Sequence, residues 1–284
     1  MTAQKKAAFI LALTASIAAT APARADDRAA LIDFFAARGC AIGPATRDAA
    51  IAEGFSAEFI DAVALAEAQI NGATKTGAWL VLAPESCTIR MPDVSSRMKV
   101  EDEDVGPVFT ASEEDAELGY DGCYASASLF ETVQQSRGWD PDTANEEYIR
   151  FVAENLISKQ LSFYSDSPLS TPPGLMLTTG PCADFPGIKD VRESQNFLAA
   201  NFDPILRRMM TENMCEDISV GLYLDINELS GLKPGTRTTN AWTSFEAVLI
   251  GMGAGWYEGM SATEKGVPRP PLCHYAETGA SDAQ

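Results

Sequence analysis

Six cysteines set the frame of this 284-residue chain, because they fall into three pairs of nearly equal inner spacing. Cys40 and Cys87 lie 47 residues apart, Cys123 and Cys182 lie 59 apart, and Cys215 and Cys273 lie 58 apart. A landmark sits inside each pair: Gly54-Phe55, Gly138-Trp139 and Gly231-Leu232 follow the opening cysteine by 14, 15 and 16 residues. An even cysteine count with no C-x-x-C reads as a disulfide framework, not as a thioredoxin-type redox site or a haem attachment. Six cysteines permit about 15 connectivities. The recurring spacing favours pairing within each unit, as Cys40–Cys87, Cys123–Cys182 and Cys215–Cys273. Zinc is disfavoured, because the cysteines are far apart and His274 is the single histidine.

The N-terminal residues suit such a framework. Lys5 and Lys6 precede an uncharged apolar run from Ala7 to Thr20, and Ala23-Arg24-Ala25 is a small-x-small cleavage site. Residues 1–25 are therefore expected to be a signal peptide, with Asp26 the first mature residue. The run is shorter than the roughly 20 apolar residues a membrane anchor needs, so no membrane insertion is expected after cleavage. The expected location is periplasmic or secreted. Cleavage would remove three of the 21 basic residues and leave 18 against 40 acidic ones, a formal charge of −22. A surface so acidic repels phosphate backbones and anionic headgroups, so nucleic acid is not an expected partner.

The expected fold class is mainly α with short β-hairpins (α+β), in three disulfide-stapled units, each helix–helix–helix–hairpin. Unit one spans residues 26–92, an acidic linker 93–118, unit two 119–190, unit three 191–276 and a disordered tail 277–284. In unit one, apolar spacing predicts helices over 30–37, 44–53 and 57–70, the third capped by Ser56. A hairpin is predicted from residues 77–82 and 87–91 around Ala83-Pro-Glu-Ser86. The element order of this unit loosely resembles a winged helix. Eight acids between residues 101 and 117, with no base among them, predict a solvated segment and no metal site. Gly138-Trp-Asp-Pro-Asp-Thr143 and Gly231-Leu-Lys-Pro-Gly-Thr236 match at four positions, and each precedes an aromatic-led helix, over 145–159 and 240–257. A further helix over 194–212 contains Pro204, which splits or kinks it.

Chemistry is sparse. His274 stands beside Cys273 with no nucleophile pattern around it, and no Gly-x-Ser-x-Gly elbow occurs. Gly251-Met-Gly-Ala-Gly255 departs from the dinucleotide fingerprint, because Trp256 stands where a later glycine is needed. Its glycines are expected to serve close packing. Asp140, Asp142, Glu146 and Glu147 form the densest acid set near a helix start, where acids favour the positive end of the dipole. Trp79, Trp139, Trp242 and Trp256 are candidates for a core or for a binding groove, with the core expected for Trp242 and Phe245. No catalytic, cofactor-binding or metal-ligating residue is assigned, and no cofactor is expected. The expected function is non-enzymatic: binding a protein or a small ligand. The alternative is a carboxylate-dependent hydrolase acting on cell-envelope polymers.

Overall fold

Eight α-helices and two small antiparallel sheets make up residues 27–110, 122–125, 129–164, 174–185, 188–211 and 242–256, the residues that a computed structural model describes. The expected signal peptide, the Gly231 landmark, Cys215, Cys273, His274 and the tail lie outside these residues.

Helix α1 (Arg28–Ala36) begins at Asp27, whose carboxylate accepts the Ala30 amide at 3.1 Å. It buries Leu31, Phe34 and Phe35. Strand β1 (Ala41–Ile42) follows Cys40. Helix α2 (Pro44–Ala52) starts on proline, where a missing N–H costs nothing. Ser56 caps α3 (Ala57–Glu67) by accepting the Phe59 amide at 3.2 Å, as expected. Both landmark glycines among the described residues end helices. Gly54 follows α2 at φ +98°, and Gly138 follows α4 (Leu129–Arg137) at φ +63°, a region that side chains disfavour.

The first hairpin lies one segment earlier than expected. Strand β3 (Trp79–Val81) pairs with β2 (Thr74–Thr76) and with β1, in the order β1-β3-β2. The turn is Gly77-Ala78, which Gly77 permits at φ +54°. Residues 83–87 instead wind into a helical turn, with the Ser86 and Cys87 amides both donating to the Ala83 carbonyl. Residues 87–91 join no strand, and the Arg90 amide donates to Ala36 at 2.9 Å.

The second sheet repeats this arrangement. Strand β5 (Tyr124–Ala125) follows Cys123, helices α4 and α5 (Pro141–Ile157) come next, and β6 (Leu161–Tyr164) and β7 (Gly174–Leu177) form a hairpin. The order is β5-β7-β6, with β4 (Phe109–Thr110) added at the β5 edge. The Leu82 amide donates to the Cys40 carbonyl at 2.9 Å, and the Leu177 amide to the Cys123 carbonyl at 2.7 Å. Cys40–Cys87 and Cys123–Cys182 are disulfides, with Cα atoms 5.9 and 5.7 Å apart. Each bridge thus ties the residue before the first strand to the chain beyond the last. Closing loops of these lengths contributes about 4 kcal/mol each in the chain-entropy picture.

Helix α4 was not anticipated, and α5 starts four residues earlier than expected, at Pro141 behind the Asp140 cap. The helix expected over 194–212 is two helices, α6 (Ile188–Ala200) and α7 (Phe202–Thr211), which break at Asn201. Pro204 lies in the first turn of α7, where no intrahelical amide bond is due. Helix α8 (Thr243–Gly253) packs closely on α5. A Cβ on Gly253 would stand 2.3 Å from the Ala153 Cβ, so Gly253 serves helix contact, whereas a Cβ on Gly255 would meet nothing within 4 Å.

Most of the core is one cluster, with a small second one of Met176, Phe185 and Val191. The main cluster runs from Leu31 in α1 to Trp256 after α8 and includes Met98 and Val105 from the expected linker, both fully buried. Over residues 101–110 the acidic segment therefore departs from a solvated run, while Glu113, Glu114, Asp115 and Glu117 lie outside the described residues. Glu101 and Glu103 are exposed. Asp102 and Asp104, by contrast, clamp Arg137 of α4, each accepting from it at 2.7 Å. A second cross-link reaches from α7 to the first disulfide loop. Asp203 accepts the Ile89 amide at 2.6 Å, and Arg207 donates to the Leu82 and Cys87 carbonyls at 2.9 and 2.7 Å.

Candidate functional site

A groove of about 660 Å3 opens between α2, the outer face of α3 and the β2–β3 hairpin. Ile42 and Leu80 line its inner end, and Ala64, Leu65 and Ala68 line the α3 side. Leu65 is 69 % exposed, the most exposed large apolar side chain among the described residues. Trp79 lies half-buried against the start of α2. A Cβ on Gly43 would meet its ring carbons at 2.1 to 2.6 Å, so the indole rests directly on the Gly43 backbone. Gly43 has φ −156°, ordinary extended backbone, so closeness and not conformation requires glycine here.

The rim is polar. Arg47 and Asp61 form a two-pronged pair, with Nε to Oδ1 at 2.8 Å and Nη2 to Oδ2 at 2.9 Å. The hydrogen bond from Arg47 holds the exposed Asp61 carboxyl below its usual value. Asp48 and Lys75 complete this edge. The result is an aromatic plate and aliphatic wall bordered by planar charged side chains, the usual make-up of a ligand cleft.

The acid set singled out in the sequence serves structure. Asp140 accepts the Asp142 and Thr143 amides at 3.1 and 3.0 Å, and the Thr143 amide and hydroxyl hold its carboxyl below the ordinary value. Glu146 pairs with Arg150 at 2.5 Å. Burial works to raise the Glu147 carboxyl, but the Arg97 amide and guanidinium and the Ser96 hydroxyl outweigh it and hold it low. Glu154, about two turns on, accepts from the Ser96 amide and from Lys99. Asp140 and Glu146 thus belong to the start of α5, while Glu147 and Glu154 fasten residues 96–99 to it.

The tryptophans divide. Trp242 and Trp256 are 5 % and 1 % exposed and belong to the interior, as expected for Trp242. Phe245 is only half-buried and stacks edge-on against Phe163 and Trp242. Trp139 is half-buried beneath the guanidiniums of Arg97 and Arg137, 4.7 and 5.0 Å from its ring. Trp79 lines the groove, and Trp256, though buried, walls a second cavity beside α2.

Glu246 of α8 was missed in the sequence. It is 1 % exposed, and a single oxygen, Oε1, accepts the Ser162 hydroxyl and the Phe163 amide, both at 2.7 Å. Burial pushes its carboxyl up to about 7, against the pull of those two donors. A raised carboxyl is a signature of catalytic acids. Neither the Trp79 groove nor a second cavity beside α2 includes it, however, and its bonds join α8 to β6. No periodicity marks such a residue, since a glutamate on an apolar helix face reads as a misfit until the strand opposite is known.

No protein-family model, curated protein or solved structure matches this chain.

Proposed function

We propose that this chain is an exported, non-enzymatic binding protein, and that its ligand lies in the groove over Trp79. The observation that carries the reading is that groove, with its indole seated on Gly43, its exposed Leu65 and its pre-paired Arg47–Asp61 rim. The paired charges leave the rim close to neutral, which favours an uncharged ligand with one apolar face and hydroxyl or amide groups around its edge. A sugar ring of the cell envelope has that chemistry. The chain as a whole carries 40 acidic against 21 basic residues, a balance that disfavours nucleic acid as a partner. Two disulfides support an oxidising compartment, periplasmic or secreted. No described helix is long and apolar enough to cross a membrane. The hydrolase alternative needs two free acids facing one cleft, and the acids that stood out are bound to helix starts, amides and arginines instead.

The same proposal keeps three stapled units, the third closed by Cys215–Cys273. Its support is the order strand–helix–helix–hairpin that both observed bridges enclose. The winged-helix likeness of the first unit also belongs here, on element order alone. Non-reducing peptide mapping should recover a Cys215–Cys273 peptide, and a bridge from either cysteine to another unit would overturn the third unit.

Calorimetric titration with soluble oligomers of N-acetylhexosamine tests the ligand site. Binding should vanish in Trp79→Ala and weaken in Gly43→Ala, whose new methyl displaces the indole. Equal binding by wild type and Trp79→Ala, or none by wild type, would remove the groove from the argument.

A further inference from the structure

We propose that a second cavity, across α2 from the Trp79 groove, is a binding site for a small α-amino carboxylate, with Arg38 taking the carboxylate and Asp93 the ammonium group. The cavity holds about 290 Å3 and lies between the end of α1, the first turns of α2, the Pro92-Asp93 segment and the end of α8. Arg38, Ala45, Thr46, Asp93, Gly255 and Trp256 are among the residues that line it. Ala45, Thr46 and Ala49 border this cavity, while Pro44, Arg47 and Asp48 border the groove, so the two sites use opposite faces of one helix.

Arg38 is the reason for the carboxylate. Seven other arginines among the described residues lie within salt-bridge distance of an acid. Arg38 does not, although the chain has 40 acidic residues against 21 basic ones. Its guanidinium is stacked 3.6 Å from the Phe34 ring centre, and Nη1 donates to the Phe34 carbonyl at 3.0 Å. The stack and this bond fix the plane of the fork while Nε and Nη2 take part in no hydrogen bond among the described residues. That edge is the one that grips a carboxylate with two parallel hydrogen bonds. Burial opposes the charge of Arg38, and Glu53 offsets this only from a distance. A bound anion would complete what the fold leaves unpaired.

Two further features point the same way. Helix α2 begins on a glycine cap with no side chain to accept the first-turn amides, and Ala45 and Thr46 of that turn border the cavity. The positive end of the helix therefore adds to Arg38 as an attraction for negative charge. Asp93 borders the cavity too, yet is exposed and forms no ion pair with Arg38. An anion alone would be repelled by it, whereas a ligand carrying an ammonium beside its carboxylate satisfies both. The alanine and glycine walls restrict the ligand to a small side chain. The carbon bearing both groups can belong to a free amino acid or to one joined to a longer chain through its side chain.

Calorimetry on the full chain decides, with glycine and alanine as probes and with propionate, alanine amide and a side-chain-linked diamino acid as controls. Alanine should bind, and propionate and alanine amide should bind about ten- to a hundredfold more weakly, as expected for losing one charge-assisted contact. Tight binding of the side-chain-linked diamino acid would identify the conjugated source, and its exclusion the free amino acid. Arg38→Met should abolish binding of alanine, and Asp93→Asn should remove the preference for alanine over propionate. Because Arg38→Met also loses the Phe34 stack, Ala49→Leu is the second variant. It narrows the cavity, leaves Arg38 in place and should lose alanine while melting like wild type. No binding of either amino acid by wild type, or undiminished binding by Arg38→Met or Ala49→Leu, would overturn the proposal.

Discussion

Replacing Glu246 by glutamine isolates a single titration in a crowded acidic protein. The native carboxyl is raised from an ordinary 4.5 to about 7 by burial. In the unfolded chain it titrates at its ordinary value. Below about pH 4.5 both states are protonated, and the group costs nothing. As pH rises, the unfolded state gives up its proton first while the native state keeps its own, so stability falls. The loss is complete once pH passes the native value near 7. A displacement of this size corresponds to about 3 kcal/mol between pH 4.5 and pH 8. Glutamine keeps an acceptor for the Ser162 hydroxyl and the Phe163 amide but has no proton to lose. The variant should therefore resemble wild type to within about 1 kcal/mol at low pH. It should be more stable by roughly 2–3 kcal/mol at pH 8, or about 5–10 °C in melting temperature. Urea unfolding of both proteins at pH 4.5 and 8 measures the difference, and the other acids cancel in the comparison. A wild-type-minus-variant difference that is the same at both pH values would refute the reasoning.

The Arg137 clamp has the opposite pH sense. Its hydrogen bond holds Asp104 at about 2, below the ordinary 3.8, so its stabilisation is present above about pH 4 and lost as pH falls toward 2. Arg137→Met should cost about 1–3 kcal/mol at pH 7 by urea midpoint and should flatten the acid limb of the stability profile. Trp242→Ala should cost about 3–5 kcal/mol in thermal unfolding, because it removes a buried indole packed on Phe163 and Phe245. A melt within a degree or two of wild type would return Trp242 to the list of binding residues. Gly253→Ala should cost about 1–3 kcal/mol by pushing α8 off α5 at Ala153, without change to the disulfides.

Local signals were readable in this chain and partnerships were not. Ser56, Pro44 and the glycines after α2 and α4 act on backbone within a few residues of themselves, so spacing alone placed α1, α2 and α3 to within a few residues. The cysteine spacing likewise pointed to the two bridges observed. The first hairpin failed because the apolar run 77–82 pairs with whichever segment meets it. Thr74–Thr76 looks too polar for a strand until Gly77-Ala78 is seen to fold it back. Residues 96–105 failed for a related reason. A run of acids reads as solvated, but Asp102 and Asp104 face an arginine 33 to 35 positions away, and Met98 and Val105 beside them enter the core. The Trp79 groove was half legible: the tryptophan was a candidate, but nothing in the sequence says that Gly43 and Leu65 lie beside it. Arg38 and Glu246 carried no signal, since what marks them is the absence or the identity of a partner distant in sequence.

The two stapled frames share one topology and yet do not fold around separate cores. Pairing the first strand with the last closes each sheet, and the bridge beyond fastens that closure, so the local frame needs nothing from its neighbour. A sheet of three short strands with two helices cannot bury its second face alone, however, and domains this small bury too little surface to be stable singly. Here that face is covered from a distance. Asp203 and Arg207 of α7 bind the backbone between Leu82 and Ile89, and α8 covers α5. Helices that follow the second bridge thus complete frames that precede it. This division of labour accounts for where the cavities lie. The Trp79 groove is enclosed by elements of the first frame alone, whereas the Arg38 cavity needs Trp256 at the end of α8 as a wall. A ligand in the first can bind without engaging the rest of the chain. A ligand in the second is held across the seam between the first frame and α8, and its binding must add to the stability of that seam.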